Sequence, residues 1–200
     1  MKRGPIARLT QRLPPRWRTP ADWAITIAIA VGVVLLVKGF VVNPYRIPSS
    51  SMEPTFHCTG QSGCLGGSND RVLANRFIWH FSDPQRGDVV VFEAPELAAA
   101  ECGQAGTYVK RIIALPGETV SAEQGVVFVD GERLDEPYLR EGHRLTPRDF
   151  TKTLGEDEYW MMGDNRDMSC DSSRWGPVSR DAMVGPVFFV YWPLGRIGFR

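Results

Sequence analysis

Three short segments hold side chains whose types and spacing could do chemistry. The first is Pro48-Ser49-Ser50-Ser51-Met52-Glu53-Pro54-Thr55, where three serines stand between two prolines on a stiff, irregular backbone. A serine becomes a nucleophile when a base takes its proton and donors hold the oxyanion that follows. Histidine is the usual base, but His57, His80 and His143 lie in no evident triad arrangement. Without a base, this segment is a polar linker. The second segment, Tyr108 to Gly117, offers a different base. As a strand it sends Tyr108, Lys110 and Ile112 to one face, and Val109, Arg111 and Ile113 to the other. Lys110 accepts a proton only when neutral, so burial must lower its pKa by a few units from about 10.4. Left in solvent, it is an ordinary strand lysine. The third segment, Gly163 to Gly176, gathers Asp164, Asn165, Asp167, Ser169, Asp171, Ser172 and Ser173 in a stretch suited to Asx-turns and ion pairs.

The elements that position these segments follow from composition and patterning. The chain has 200 residues, with 23 basic and 23 acidic side chains. Its length allows one domain plus an appendage. Hydrophobic residues make up 43% and charged residues 23%. These values exclude a wholly disordered chain, a polytopic membrane protein and nucleic-acid binding through net charge alone. The charge is unevenly spread. Residues 1–42 carry Lys2, Arg3, Arg8, Arg12, Arg16, Arg18 and Lys38 against one acid, Asp22, so the remainder is net acidic.

Ala24 to Val42 is a 19-residue apolar run. As a helix it is about 28 Å long, close to the ~30 Å of a hydrocarbon core. Trp23 stands at an interfacial position, and Lys38 is near enough to the end to snorkel. A buried helix would be shorter. A cleaved secretory signal would be followed by a small-x-small site, but Val41-Val42-Asn43-Pro44-Tyr45 follows instead. The expectation is therefore a basic, mobile cytoplasmic tail over 1–22, a transmembrane anchor over 23–42 and an extracytoplasmic domain over 43–200. The basic residues before Trp23 orient it.

Past Val42 the pattern predicts a mainly β fold. Arg71–Trp79, Asp88–Phe92, Tyr108–Leu115, Gly125–Val129, Glu158–Met162 and Met183–Trp192 are runs rich in Val, Ile and aromatics, punctuated by Gly and Pro. Asp130-Gly131 reads as a hairpin turn and Pro116-Gly117 as another turn. Pro95 to Gly106 reads as a loop with room for a helical turn at Ala98-Ala99-Ala100. His143 to Glu156 reads as an irregular excursion. An extracytoplasmic domain permits disulfides. Cys58 and Cys64 are close enough for a small loop, leaving Cys102 for Cys170, although four cysteines allow three connectivities and free thiols are the alternative. With no C-x-x-C and scattered histidines, no metal site is expected.

The three segments, in this order behind a basic arm and one anchor, resemble the bacterial type I signal peptidases. Ile47 to Thr55 resembles that family's nucleophile segment, and Arg86-Gly87-Asp88-Val89-Val90-Val91-Phe92 its next strand. Tyr108 to Gly117 resembles its lysine segment and Gly163 to Asp171 its last. The resemblance runs to about Trp192. It implies a signal-peptidase-like antiparallel β catalytic domain, with Ser51 as nucleophile and Lys110 as general base. The Ser51 amide and the Ser49 hydroxyl would form the oxyanion hole. It further implies that Ser169 holds the lysine ammonium, that Arg111 partners Asp164 and Asp171, that Asn165 braces the loop, and that Met52 packs nearby. One departure is plain: the family usually has Arg directly after the Asp-Ser of its last segment, whereas Ser173 follows Asp171-Ser172, with Arg174 one place later.

The implied partners are secretory preproteins and the lipid bilayer of a bacterial plasma membrane. No cofactor and no nucleic acid are implied, and a monomer is expected. Two other readings differ in kind. A non-catalytic, membrane-anchored β scaffold of the envelope would tolerate loss of Ser51. A self-cleaving Ser/Lys repressor would need a DNA-binding domain, for which there is no helix-turn-helix and no room.

Overall fold

The computed structural model describes residues 14–40, 42–103, 105–141 and 145–200. Most of the basic tail, with Lys2, Arg3, Arg8 and Arg12, lies outside the described residues, as do His143 and the side chain of Lys38. The chain divides into two compact units, Met1–Val42 and Asn43–Arg200.

The first unit is one helix, α1 (Pro15–Phe40). It begins within the segment expected as the tail, with residues 15–22 helical. Proline suits a first helical position, where its missing N–H costs nothing. The helix ends at Phe40, and Val42 opens strand β1 (Val42–Arg46). Pro44 has no N–H and disfavours a helical Asn43, so the helix stops before it. The helical part of the apolar run, 24–40, is about 26 Å long at 1.5 Å per residue. Among the described residues, no helix is long and apolar enough to cross a membrane. The apolar side chains of α1 are nevertheless exposed, among them Trp23, Ile27, Val31, Val34 and Leu35.

The second unit is mainly antiparallel β. One sheet combines β1 with β2 (Arg71–Asn75), β3 (Val89–Glu93), β4 (Thr107–Ala114), β9 (Glu158–Met162), β10 (Val178–Ser179), β11 (Met183–Trp192) and β12 (Gly198–Phe199). Its order is β1-β2-β11-β3-β4-β9-β10, with β12 on β11. A second sheet runs β7 (Glu132–Arg133), β6 (Val126–Val129), β5 (Thr119–Glu123), β8 (Phe150–Thr153). The long β11 serves three partners, β12 among them. Met183 to Pro186 pairs with β3, and Val187 to Trp192 with β2. At the change-over, a Cβ on Gly185 would lie 2.4 Å from the Asn75 carbonyl oxygen, so only glycine allows the crossing.

Several expectations shift for local reasons. The run from Arg71 ends at Asn75, whose side-chain oxygen accepts from the amides of Phe77 and Ile78 and turns the chain. The Ala-rich stretch forms a helix, α2 (Glu96–Cys102), closed by Gly103 in the left-handed region. The excursion from residue 143 contains β8, which forms because β5 offers it a partner edge. The Asp130-Gly131 hairpin has φ of 51° and 80°, as a type I′ turn demands.

β4 sits between β3 and β9 at the centre of the larger sheet. Alternation along it is clear. Tyr108 and Ile112 pack into one core with Phe92, Met161 and Trp175. Val109 packs with Ile47, Met52 and Val91, and Ile113 with Trp160 and Val120.

Candidate active site

Ser51 lies on a single buried 3-10 turn, Ser50–Met52, that follows β1. Its hydroxyl is 3.2 Å from that of Ser49. The turn is held from several sides. Ile47 donates its amide to the Asp70 carbonyl, fixing the approach. Asn165 donates its backbone N–H to the Ser51 carbonyl and its side-chain amide to the Ser50 carbonyl, each at 3.0 Å. Met52 is buried against Phe56 and Ile47 and anchors the far side of the turn. Glu53, also buried, accepts from the amides of Cys58 and Leu65 at 2.9 Å and binds His57 Nδ1 with its other oxygen. His57 in turn donates its amide to Asp70, which pairs with Arg196. Nothing local in the sequence announced this brace, because its members span residues 53 to 196.

Lys110 is 2% exposed. It stands opposite Val90 in the β3–β4 ladder, with its ammonium 5.8 Å from the centre of the Tyr108 ring. Burial lowers its pKa to about 8, against the pull of Asp171 and Asp164, whose charges favour the ammonium. Ser49, Ser51 and Lys110 line one cleft of about 250 Å³. Tyr45, Ile47, Met52 and Val109 give it an apolar lining.

The third segment lies against the nucleophile turn. A Cβ on Gly163 would sit 2.3 Å from Ser169 Oγ and 2.5 Å from the Ser51 carbonyl oxygen, so the close approach needs glycine. The Ser169 hydroxyl is buried here without a hydrogen-bond partner. It does not hold the Lys110 ammonium as expected. Among the described residues, no hydrogen bond joins Lys110 to Ser51 either.

Arg111, on the opposite face of β4 from Lys110, grips Asp164 in a two-pronged pair at 2.8 and 2.6 Å. It also donates to the Gly87 carbonyl and to Thr55, and its guanidinium lies 4.0 Å from the Tyr138 ring centre. Thr55 closes the triangle by donating to Asp164. The expected pairing of Arg111 with Asp171 is not made. Asp171 caps the short helix α3 (Ser172–Trp175), accepting from the Ser173 amide and hydroxyl and from the Gly163 amide. Ser173 thus satisfies one oxygen of the Asp171 carboxylate, and Arg174 is exposed.

Sequence reasoning gave no role to Arg166. It is buried and ion-paired with Glu136, and it donates to Thr146 and to the Gly163 carbonyl. Only a charged residue inside a dense polar loop hinted at it. The cysteines join Cys58 to Cys64 and Cys102 to Cys170, with Cα atoms 5.0 and 6.1 Å apart. Among the described residues, no cluster of three or more metal-binding side chains occurs.

A buried lysine and a buried serine sharing one cleft can perform acyl transfer without a cofactor. Known proteins narrow the field. The family model described as "Signal peptidase, peptidase S26" matches residues 20–192. A probable signal peptidase I-2 of Synechocystis sp. is 35% identical over 175 residues, covering 86% of this chain and 73% of that protein. Signal peptidase I of Bacillus amyloliquefaciens is 33% identical over 185 residues, covering 88% and 90%. A crystal structure of a signal peptidase I from Enterococcus faecalis matches 52% of this chain and 97% of its own, with 29% identity and a TM-score of 0.43. The family match spans most of the chain and takes in all three segments, so this protein belongs to the signal peptidase family, peptidase S26.

Proposed function

We propose that this protein is a membrane-anchored serine endopeptidase that removes signal peptides from exported preproteins, with Ser51 as nucleophile and Lys110 as base. The observation that carries the reading is the burial of Lys110 in the cleft that holds Ser51. Neutral Lys110 takes the Ser51 proton as the oxygen attacks the scissile carbonyl. The Ser51 amide and the Ser49 hydroxyl, already 3.2 Å from Ser51 Oγ, stabilise the oxyanion. Lys110 then gives its proton to the leaving amine, which departs with the mature chain, and later activates the water that clears the acyl-enzyme. Catalytic hydrogen bonds are commonly loose before substrate enters and tighten with it. Ser169, whose buried hydroxyl has no hydrogen-bond partner, takes up the ammonium at that stage. Asp164, Asn165, Asp171 and Arg111 hold the frame.

The cleft lies between the Tyr45–Met52 segment and the Thr107–Lys110 edge of β4, so it suits an extended peptide. Alternate side chains of an extended peptide face the same way, which puts the first and third residues before the bond on the cleft side. Both must be small to fit shallow apolar subsites. The apolar run 23–42, of which α1 holds the larger part with its apolar side chains exposed, serves as the single anchor, with the basic residues before it in the cytoplasm of a bacterium. The catalytic unit then works as a monomer on the outer face of the plasma membrane. Anchoring raises its effective concentration at preproteins held in the same bilayer. The test is a preprotein assay on detergent-solubilised protein. Cleavage at the signal junction supports the reading, and cleavage elsewhere or none at all from folded protein overturns it.

A further inference from the structure

The Cys102–Cys170 bond is part of the substrate cleft, since both residues line the space that Ser51 and Lys110 share. Both are half-buried, and both pack into the core that contains Tyr108. Tyr108 lies two positions before Lys110 on the same face of β4, a displacement of about 7 Å along a strand. The bonded residues therefore line the cleft in the same core as Tyr108, which stands one dipeptide step from Lys110 along β4. That step equals the spacing between the first and third residues of an extended peptide. Strand β4 lines the cleft from Lys110 back to Thr107, and Cys102 and Cys170 line it together with that stretch. The bond also ties α2 to the residue after Ser169, across 68 positions of sequence, and so fixes the width of the cleft there.

We infer that the Cys102–Cys170 disulfide is a specificity-determining wall, which limits the size of the side chain three residues before the scissile bond. It acts by occupancy and by tethering, and it takes no part in bond making. This rests on the peptidase reading above, with the peptide's acyl side lying in the apolar cleft.

The test compares wild type with Cys102→Ala/Cys170→Ala on four peptides, with Ala or Phe at the third position and Ala or Val at the first. The variant should narrow the Ala-over-Phe preference in kcat/KM at the third position by about tenfold or more, through KM, because added volume in an apolar subsite is discriminated on that scale. The Ala-over-Val preference at the first position should persist. Cys58→Ala/Cys64→Ala should leave the third-position ratio as in wild type. If the double variant does not fold, the ratio is read on folded Cys58→Ala/Cys64→Ala protein before reduction, after reduction and after reoxidation. It should fall on reduction and return on reoxidation. An unchanged third-position ratio, or an equal loss at both positions, overturns the inference while leaving the peptidase reading intact. A wild type that cleaves none of the peptides overturns both.

Discussion

Lys110 sets the pH dependence of the proposed reaction. Burial brings its pKa to about 8 from an ordinary 10.5, with Asp171 and Asp164 working the other way. At a pKa of about 8, about half of the molecules hold neutral Lys110 at pH 8, about a tenth at pH 7 and about a hundredth at pH 6. The kcat/KM for a signal-junction peptide should therefore climb tenfold per pH unit below about 7 and level off above about 8. Replacing Asp171 with Asn removes the larger of the two charges that favour the ammonium. It should move the acid limb to lower pH while an oxygen remains to accept from the Gly163 amide. The same shift has a stability consequence. The unfolded chain binds more protons than the folded one between about 8 and 10.5, so stability rises with pH across that window. Below it, the buried ammonium costs on the order of 3 kcal/mol, which Lys110→Met should recover at pH 7 while abolishing cleavage. Steady-state kinetics from pH 5 to 9 and urea melts at pH 7 read the two effects. A flat kcat/KM across that range, or a limb that Asp171→Asn moves upward, would refute the reasoning.

Three further outcomes follow from the frame around the cleft. Arg111→Met strands Asp164 as a buried, unpaired carboxylate and should cost about 3 to 5 kcal/mol in a denaturant melt, with Asp164→Asn/Arg111→Met recovering part of the loss. Gly163→Ala drives a methyl into the Ser169 hydroxyl and the Ser51 carbonyl, and should lower kcat by about a hundredfold with a smaller change in KM. The two disulfides should differ in stability contribution. By chain entropy, closing 68 residues is worth about 4 kcal/mol and closing 6 about 2 kcal/mol, so thermal melts of the two paired-alanine variants should rank Cys102/Cys170 as the greater loss.

The residues with chemical potential were legible in the sequence because each sits in a short local signal. Ser51 lies between prolines, Lys110 in an alternating apolar strand, and Asp164 and Asn165 in a polar loop. Strands β9 and β11 were read to their ends, since β9 is a run of aromatics and methionines and β11 is dense in aromatic residues and valine. What was missed depends on distant partners. Strands β5 and β8 are short and polar, and they exist because each supplies the other's edge. Pro44 and the apolar run before it hid β1. The resemblance suggested Arg111 as a partner of Asp171, whereas capping geometry gives Asp171 the Ser173 hydroxyl and the Gly163 amide. The Arg166–Glu136 pair and the Glu53–His57–Asp70–Arg196 brace join residues that only the folded chain brings together.

The central claim is that one serine and one lysine in a shared cleft perform the cleavage. The direct measurement is the cleavage of a preprotein by purified protein, beside Ser51→Ala and Lys110→Ala, with folding of each checked by circular dichroism. Wild type should cut at the signal junction, and both variants, folded, should not. Cleavage by Ser51→Ala or Lys110→Ala at the wild-type rate would contradict that claim, and a folded wild type that never cuts would favour a scaffold in the envelope instead.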